Sequence, residues 1–350
     1  PVDIFAGGND WDKPDATAAA ATSVVDQKLR WVKDLAGADP KVAAPIQGVA
    51  TLFNQLYDFM TVVVAQRGVP GDVPPGVAQQ GNAVFQTVRT QASRQPQLVR
   101  SLLEEAVTRS QRLVFDGVRV TLNAQMSDVV SFCRTAIAGR YPIVRGSTQE
   151  ISIDDFGTFF APGGRVDKYF RDYFAQCVDT SSRPWRARAS GAAPVQIGAK
   201  VLLQFERADA IKNTFFRGGG VIPSVGFDLQ PLDMDAAITR FTLNLGGQPV
   251  SYAHGPPVRK SLFWPAPSDT GEVIIEMAPA SGESIAREPG PWAWFRVLDK
   301  AKVTPTNRAE AFTVDFTVGG RTAHYTLTAR SANNPFNFDE LKLFECPEQL

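Results

Sequence analysis

Apolar residues in the first half of the chain recur at steps of three and four. In IQGVATLFNQLYDFMTVVVAQRG, Ile46, Val49, Leu52, Phe53, Leu56, Phe59, Met60 and Val63 fall on one helical stripe, which Gly68 and Pro70 end. A weaker stripe runs over 16–36, and PPG at 74–76 opens a further helix near 77–93. From Pro96 to Gly139, the recurrence of Leu98, Leu102, Leu103, Val107, Leu113 and Val114 predicts one long helix, or two stacked ones broken at Gly117. Pro142 cannot continue it and disfavours helical geometry before it.

SIDDFGTFFAPGGRVDKYFRDYFAQC, 152–177, predicts two short helices around an APGG turn, with Ser152 as cap and Asp154 and Asp155 in the first turn. Phe156, Phe159, Phe160, Tyr169, Phe170, Tyr173 and Phe174 are expected in the core. A Pro- and Ser-containing link over 180–194 leads to a helix over 195–215, stopped by Gly218, Gly219 and Gly220.

Beyond Gly220 the period changes to two. With Gly246 and Gly247 as a two-residue turn, Leu243 faces Val250, Phe241 faces Tyr252 and Thr239 faces His254. With Gly319 and Gly320 as a second turn, Phe316 faces Ala323, Val314 faces Tyr325 and Phe312 faces Leu327, while Asp315 meets His324 on the other face. SLFWP and GEVIIEMAP read as further strands. PGPWAWFRVLDKA reads as a turn and short helix whose Trp292, Phe295 and Leu298 cover a sheet, and Pro249 fits only an edge position. The expected class is α+β: an N-terminal all-helical domain over 1–194, a connecting helix and hinge over 195–220, and an antiparallel β-sandwich-like domain over 221–350 with a short C-terminal helical tail.

Charge changes this picture little. The net charge is zero, with 44% hydrophobic and 21% charged residues, which argues against a disordered tail or a surface that coats nucleic acid. The expectation from run lengths is a chain without a leader or a membrane span. Phosphate loops, dinucleotide fingerprints, nucleophile elbows and paired zinc histidines are absent from the sequence. No catalytic residue, cofactor or metal ligand is therefore assigned. The three cysteines, Cys133, Cys177 and Cys346, allow at most one intramolecular disulfide; buried free thiols are the other reading.

The ordered blocks CRTAIAGRYP, DDFGTFFAPGG, VDTSSRPW, LQFERADAIKNTFFRGGG, RFTLNLGGQPVSYAHGPP, LFWP, GPWAWFRVLDKA and NNPFNFDELKLFECPEQL resemble the carboxy-terminal region of the IcmF/TssM family, from about 130 to the end. Members are inner-membrane components of bacterial type VI secretion systems. The resemblance implies a distal periplasmic piece of a longer protein: a non-enzymatic scaffold in which a helical domain joins a β-domain that binds the outer-membrane lipoprotein TssJ. The inner-membrane protein TssL and further copies of the chain are the other implied partners. Gly246, Gly247 and Gln248, with Gly319, Gly320 and Arg321, are the candidate contact tips. The implied oxidising periplasm permits a disulfide, and because Cys133 and Cys346 stand within the family-like blocks and Cys177 does not, the resemblance implies a Cys133–Cys346 bridge with Cys177 free. An alternative reading is a peptidoglycan-binding module, with Trp264, Trp292 or Trp294 stacking on sugar rings if exposed.

Overall fold

The computed structural model describes residues 27, 29–37, 45–65, 73–188, 197–266, 271–337 and 339–350. Most of the weak stripe at 16–36 and much of the 180–194 link lie outside them. The chain forms two compact units. One comprises the residues up to Val120 with 189–194; the other takes Thr121–Arg188 and Val195–Leu350. This division differs from the expected 1–194, 195–220 and 221–350. The helices after Thr121 pack with the sheets because their aromatic side chains share one core with them.

In the first unit, α1 (Pro45–Ala65) packs against α2 (Pro75–Ala92). Phe59 sits edge-on to Phe85 with ring centroids 5.4 Å apart, and Gly81 leaves room for the Phe59 ring, which a Cβ there would strike. Val49, Leu52, Leu56, Phe59 and Val63 are buried, whereas Ile46 and Phe53 of the expected stripe are exposed. By length and composition α1 is apolar enough to cross a membrane. The run-length expectation misses this because Asn54, Gln55 and Asp58 interrupt the run without lowering its average hydropathy enough. Helix α3 (Gln97–Phe132) is continuous through Gly117. It buries Leu103, Val107 and Val114 and exposes Leu98, Leu102 and Leu113.

In the second unit α3 ends in a π-turn, Cys133–Ile137, where Ala138 N–H donates to the Cys133 carbonyl at 2.8 Å. The cap of α4 (Ile153–Phe160) forms as its sequence predicts, Ser152 Oγ accepting from Asp155 N–H at 3.0 Å. After α5 (Arg165–Tyr169), a short ladder of β1 (Val178–Asp179) and β2 (Arg186–Ala187) leads to α6 (Ala199–Phe215). Lys212 of α6 donates to Asp167 of α5 at 2.8 Å. Burial pushes the Asp167 carboxyl up, but hydrogen bonds from Lys212 and the Gly163 N–H outweigh it and hold the group below the usual carboxylate range.

The remaining strands make a sandwich. One sheet has the order β6 (Lys260–Trp264), β3 (Val225–Met234), β11 (Arg321–Ala329), β10 (Ala311–Val318), β9 (Lys302–Pro305); the other has β5 (Gln248–Tyr252), β4 (Arg240–Leu245), β7 (Glu272–Ala278), β8 (Ile285–Pro289). All pairings are antiparallel. Alternation places Phe227 and Leu229, Phe241 and Leu243, Val273 and Ile275, and Val314 and Phe316 in the buried interior. Helix α7 (Ala293–Lys300) adds to this core, its Trp294 stacked on Phe227 at 4.9 Å. The short tail helix α8 is Glu340–Leu343.

Both hairpin registers follow the glycine turns, with one exception. The first ladder stops at Phe241 opposite Tyr252, so Thr239 does not pair with His254. Thr239 N–H donates instead to the Ala278 carbonyl, and His254, at φ 57°, contacts the Ile238 carbonyl through Nε2 at 2.6 Å. The left-handed backbone at His254 turns the strand away before a further pair can form.

Candidate functional site

The expected contact tips divide into exposed backbone and structural brackets. Gly247, Gly319 and Gly320 are exposed, and Gly246 is buried. Gly319 combines a φ of +56° with a backbone so close to the Glu283 carbonyl that a Cβ would collide with it, so glycine is needed there for packing as well as for the turn.

The Gln248 and Arg321 side chains make hydrogen bonds within the protein. The Gln248 carboxamide accepts from Phe263 N–H at 3.0 Å and donates to the Phe263 carbonyl at 2.8 Å. One side chain thus imitates a strand neighbour and joins the β5 edge of one sheet to the β6 edge of the other. Arg321 is only 9% exposed and donates to the carbonyls of Pro279 at 2.8 Å and Met277 at 3.3 Å. It bridges the sheets at another point. Its place beside a glycine turn suggests an exposed tip, but its alternation with Ala323 and Tyr325 puts the side chain on the inner face, the signal that finds the bracket. Replacing Arg321 with alanine leaves two carbonyls without their charged donor; the expected loss of unfolding free energy is about 2 to 3 kcal/mol, measured by urea denaturation.

Cys133 and Cys346 form a disulfide with Cα atoms 5.7 Å apart, and Cys177 is free. Burial pushes the Cys177 thiol up to about 11, against an opposing pull from Arg188. The tail that the bridge holds is also fixed by Phe344 against Phe160, centroids 5.1 Å apart, and by Glu345 N–H donating to Gln204 Oε1 at 2.8 Å.

The aromatic residues proposed for sugar stacking are internal. Trp264 is 2% exposed, and Trp292 and Trp294 are fully buried. Trp292 donates to the Ile151 carbonyl at 2.6 Å, and Trp264 to that of Pro291 at 2.8 Å. They fasten α7 to its surroundings and offer no ring face to a ligand. Asp315 accepts from His324 Nδ1 at 2.7 Å on the outer face of the five-stranded sheet. Among the described residues, no cluster of three or more His, Cys, Asp or Glu side chains could hold a metal ion.

Residues 227–331, the greater part of the sandwich, match the type VI secretion protein IcmF C2-like domain. Over 311 residues, 88% of the chain, the sequence is 40% identical to type VI secretion system component TssM1 of Pseudomonas aeruginosa. The chain belongs to the IcmF/TssM family. It spans 28% of the length of that TssM relative. Among solved structures, the C-terminal domain of the type VI protein TssM from EAEC shares its fold at a TM-score of 0.57 and 21% identity, over 66% of this chain and 98% of that one. A chain of a type VI secretion system membrane core complex matches at 0.66 and 17% identity, over 99% and 76%. The IcmF/TssM sandwich is therefore accompanied here by helices that belong to the same compact unit.

Proposed function

We propose that this chain is the periplasmic scaffold and docking portion of a type VI secretion membrane-complex component, that it works without catalysis, and that its β-sandwich binds the outer-membrane lipoprotein TssJ. The observation that carries this reading is the 40% identity to TssM1, which runs through both the helical segments and the sandwich. The helical segments would set the distance between the inner membrane and the dock, bridging the two membranes together with TssL and further copies of the chain.

The physical character of the sandwich supports the role. Gln248 and Arg321 bracket its sheets, and a disulfide holds the tail of its unit. A surface that is rigid before binding loses little conformational entropy on docking. Calorimetric titration with the soluble part of the cognate TssJ-type lipoprotein tests the proposal. Saturable binding with a stoichiometry near one lipoprotein per chain is the expected result; absence of binding at tens of micromolar, a concentration at which a specific complex of ordinary interface size is populated, overturns it.

A further inference from the structure

The sandwich has four edge strands, and they differ in what they offer. The β5 and β6 edges are joined by Gln248, and β5 carries Pro249. The β9 edge ends in Pro305, which has no N–H; Ala301, Val303 and Pro305 border a cavity of about 300 Å³ that Tyr141, Pro142 and Arg145 also line. The remaining edge is β8.

Its register fixes which groups are free. Met277 N–H donates to the Ser284 carbonyl, and Gly290 N–H to that of Gly271, so bonded pairs alternate from 277/284 through 275/286 and 273/288 to 271/290. Ile285 and Arg287 occupy the intervening positions, so their N–H and C=O groups point away from β7. Among the described residues nothing accepts from or donates to them. Ile285 is 49% exposed and the Arg287 side chain 60%, with a 3.8 Å contact between Arg287 and Glu272. Two outward donors and two outward acceptors therefore stand in a row beside one aliphatic and one cationic side chain.

We infer that β8 is a strand-addition edge: an extended segment of a protein partner pairs with Ile285 and Arg287 and becomes the fifth strand of the β5-β4-β7-β8 sheet. Main-chain bonds give the attachment, and side chains on alternate positions give the choice of partner. The complementary segment carries an aliphatic residue facing Ile285 and, two residues away, a carboxylate facing Arg287. Pro289 closes the edge to longer pairing, which limits association with unrelated strands. The inference rests on the reading that the sandwich docks the lipoprotein, and names the part of the sandwich that does so.

Amide hydrogen exchange on the full chain, with and without the soluble cognate lipoprotein, tests it without altering the protein. The Ile285 and Arg287 amides are expected to exchange freely in the unbound chain and at least about tenfold more slowly in the complex. A complex that forms while both amides stay unprotected overturns the edge and leaves the docking function standing. Failure of the unsubstituted chain to bind overturns both. Ile285→Pro deletes an outward donor without removing a ladder bond and is expected to weaken binding at least about tenfold, whereas Ile285→Ala keeps the donor and loses less. Equal affinity of folded Ile285→Pro and the parent contradicts the inference.

Discussion

Loss of the Cys133–Cys346 bridge lowers the unfolding free energy by about 3 to 5 kcal/mol. The two residues are 213 apart in sequence, so the bond closes a long loop and removes conformational entropy from the unfolded ensemble. The native site is also prepared for it. Cys133 is fully buried at the start of the π-turn, and the tail reaches it across Phe159 and Phe160 while Leu350 N–H donates to Asn123 Oδ1 at 2.7 Å. The double variant Cys133→Ser/Cys346→Ser, followed in urea without reductant, measures the loss. A midpoint unchanged from that of the parent would mean the tail is held by packing alone. Peptide mapping under non-reducing conditions should recover the 133–346 linkage with Cys177 as the single thiol.

The second large effect is at Trp292. Its ring meets Phe156 at 5.0 Å, Trp264 at 4.6 Å and Phe295 at 5.6 Å, joining α4, the end of β6 and α7 in one cluster. Alanine there leaves a cavity among rings that cannot close it, and it strips the Ile151 carbonyl of its donor. The expected cost is about 3 to 5 kcal/mol, with loss of near-ultraviolet dichroism from the cluster. A sugar-stacking tryptophan would behave differently, since an exposed ring can be removed for less than about 0.5 kcal/mol. Urea unfolding of Trp292→Ala therefore separates the two roles.

Much of the sandwich was legible because two independent signals agree. Alternation fixes which face of each strand is inward, and paired glycines fix the turn, so together they give register residue by residue from Phe312 to Leu327. The first hairpin shows where such reasoning stops: the turn sets register near itself, but where the ladder ends depends on the backbone at His254. The helices were legible as elements and less so as surfaces. Leu102 and Leu103 both fit the periodicity of α3, yet only Leu103 finds a neighbour to bury it. The compact units were not legible, because shared aromatic contacts between distant segments leave no mark on local sequence.

The candidate contacts show the same boundary. Turn chemistry identifies Gly247, Gly319 and Gly320 as exposed, but it cannot tell that Gln248 and Arg321 are committed to carbonyls and N–H groups of the opposite sheet. Alternation with Ala323 and Tyr325 marks Arg321 as inward, but which groups of the opposite sheet a long side chain reaches depends on the spacing between the sheets. The open edge at β8 was hidden for a related reason. Its significance lies in hydrogen bonds that are not made, and these depend on the order of strands in the sheet.

We expect the sandwich, and not the helical segments, to carry the partner-binding surface. Cross-linking of the chain in complex with the soluble TssJ-type lipoprotein, read by mass spectrometry, tests it most directly. Lys260, Lys300 and Lys302 lie on or beside sandwich strands, whereas Lys33 lies among the helices of the other unit. Links to the lipoprotein are expected from the sandwich lysines, Lys300 among them because it pairs with Glu288 of β8. Links from Lys33 with none from the three sandwich lysines would contradict it.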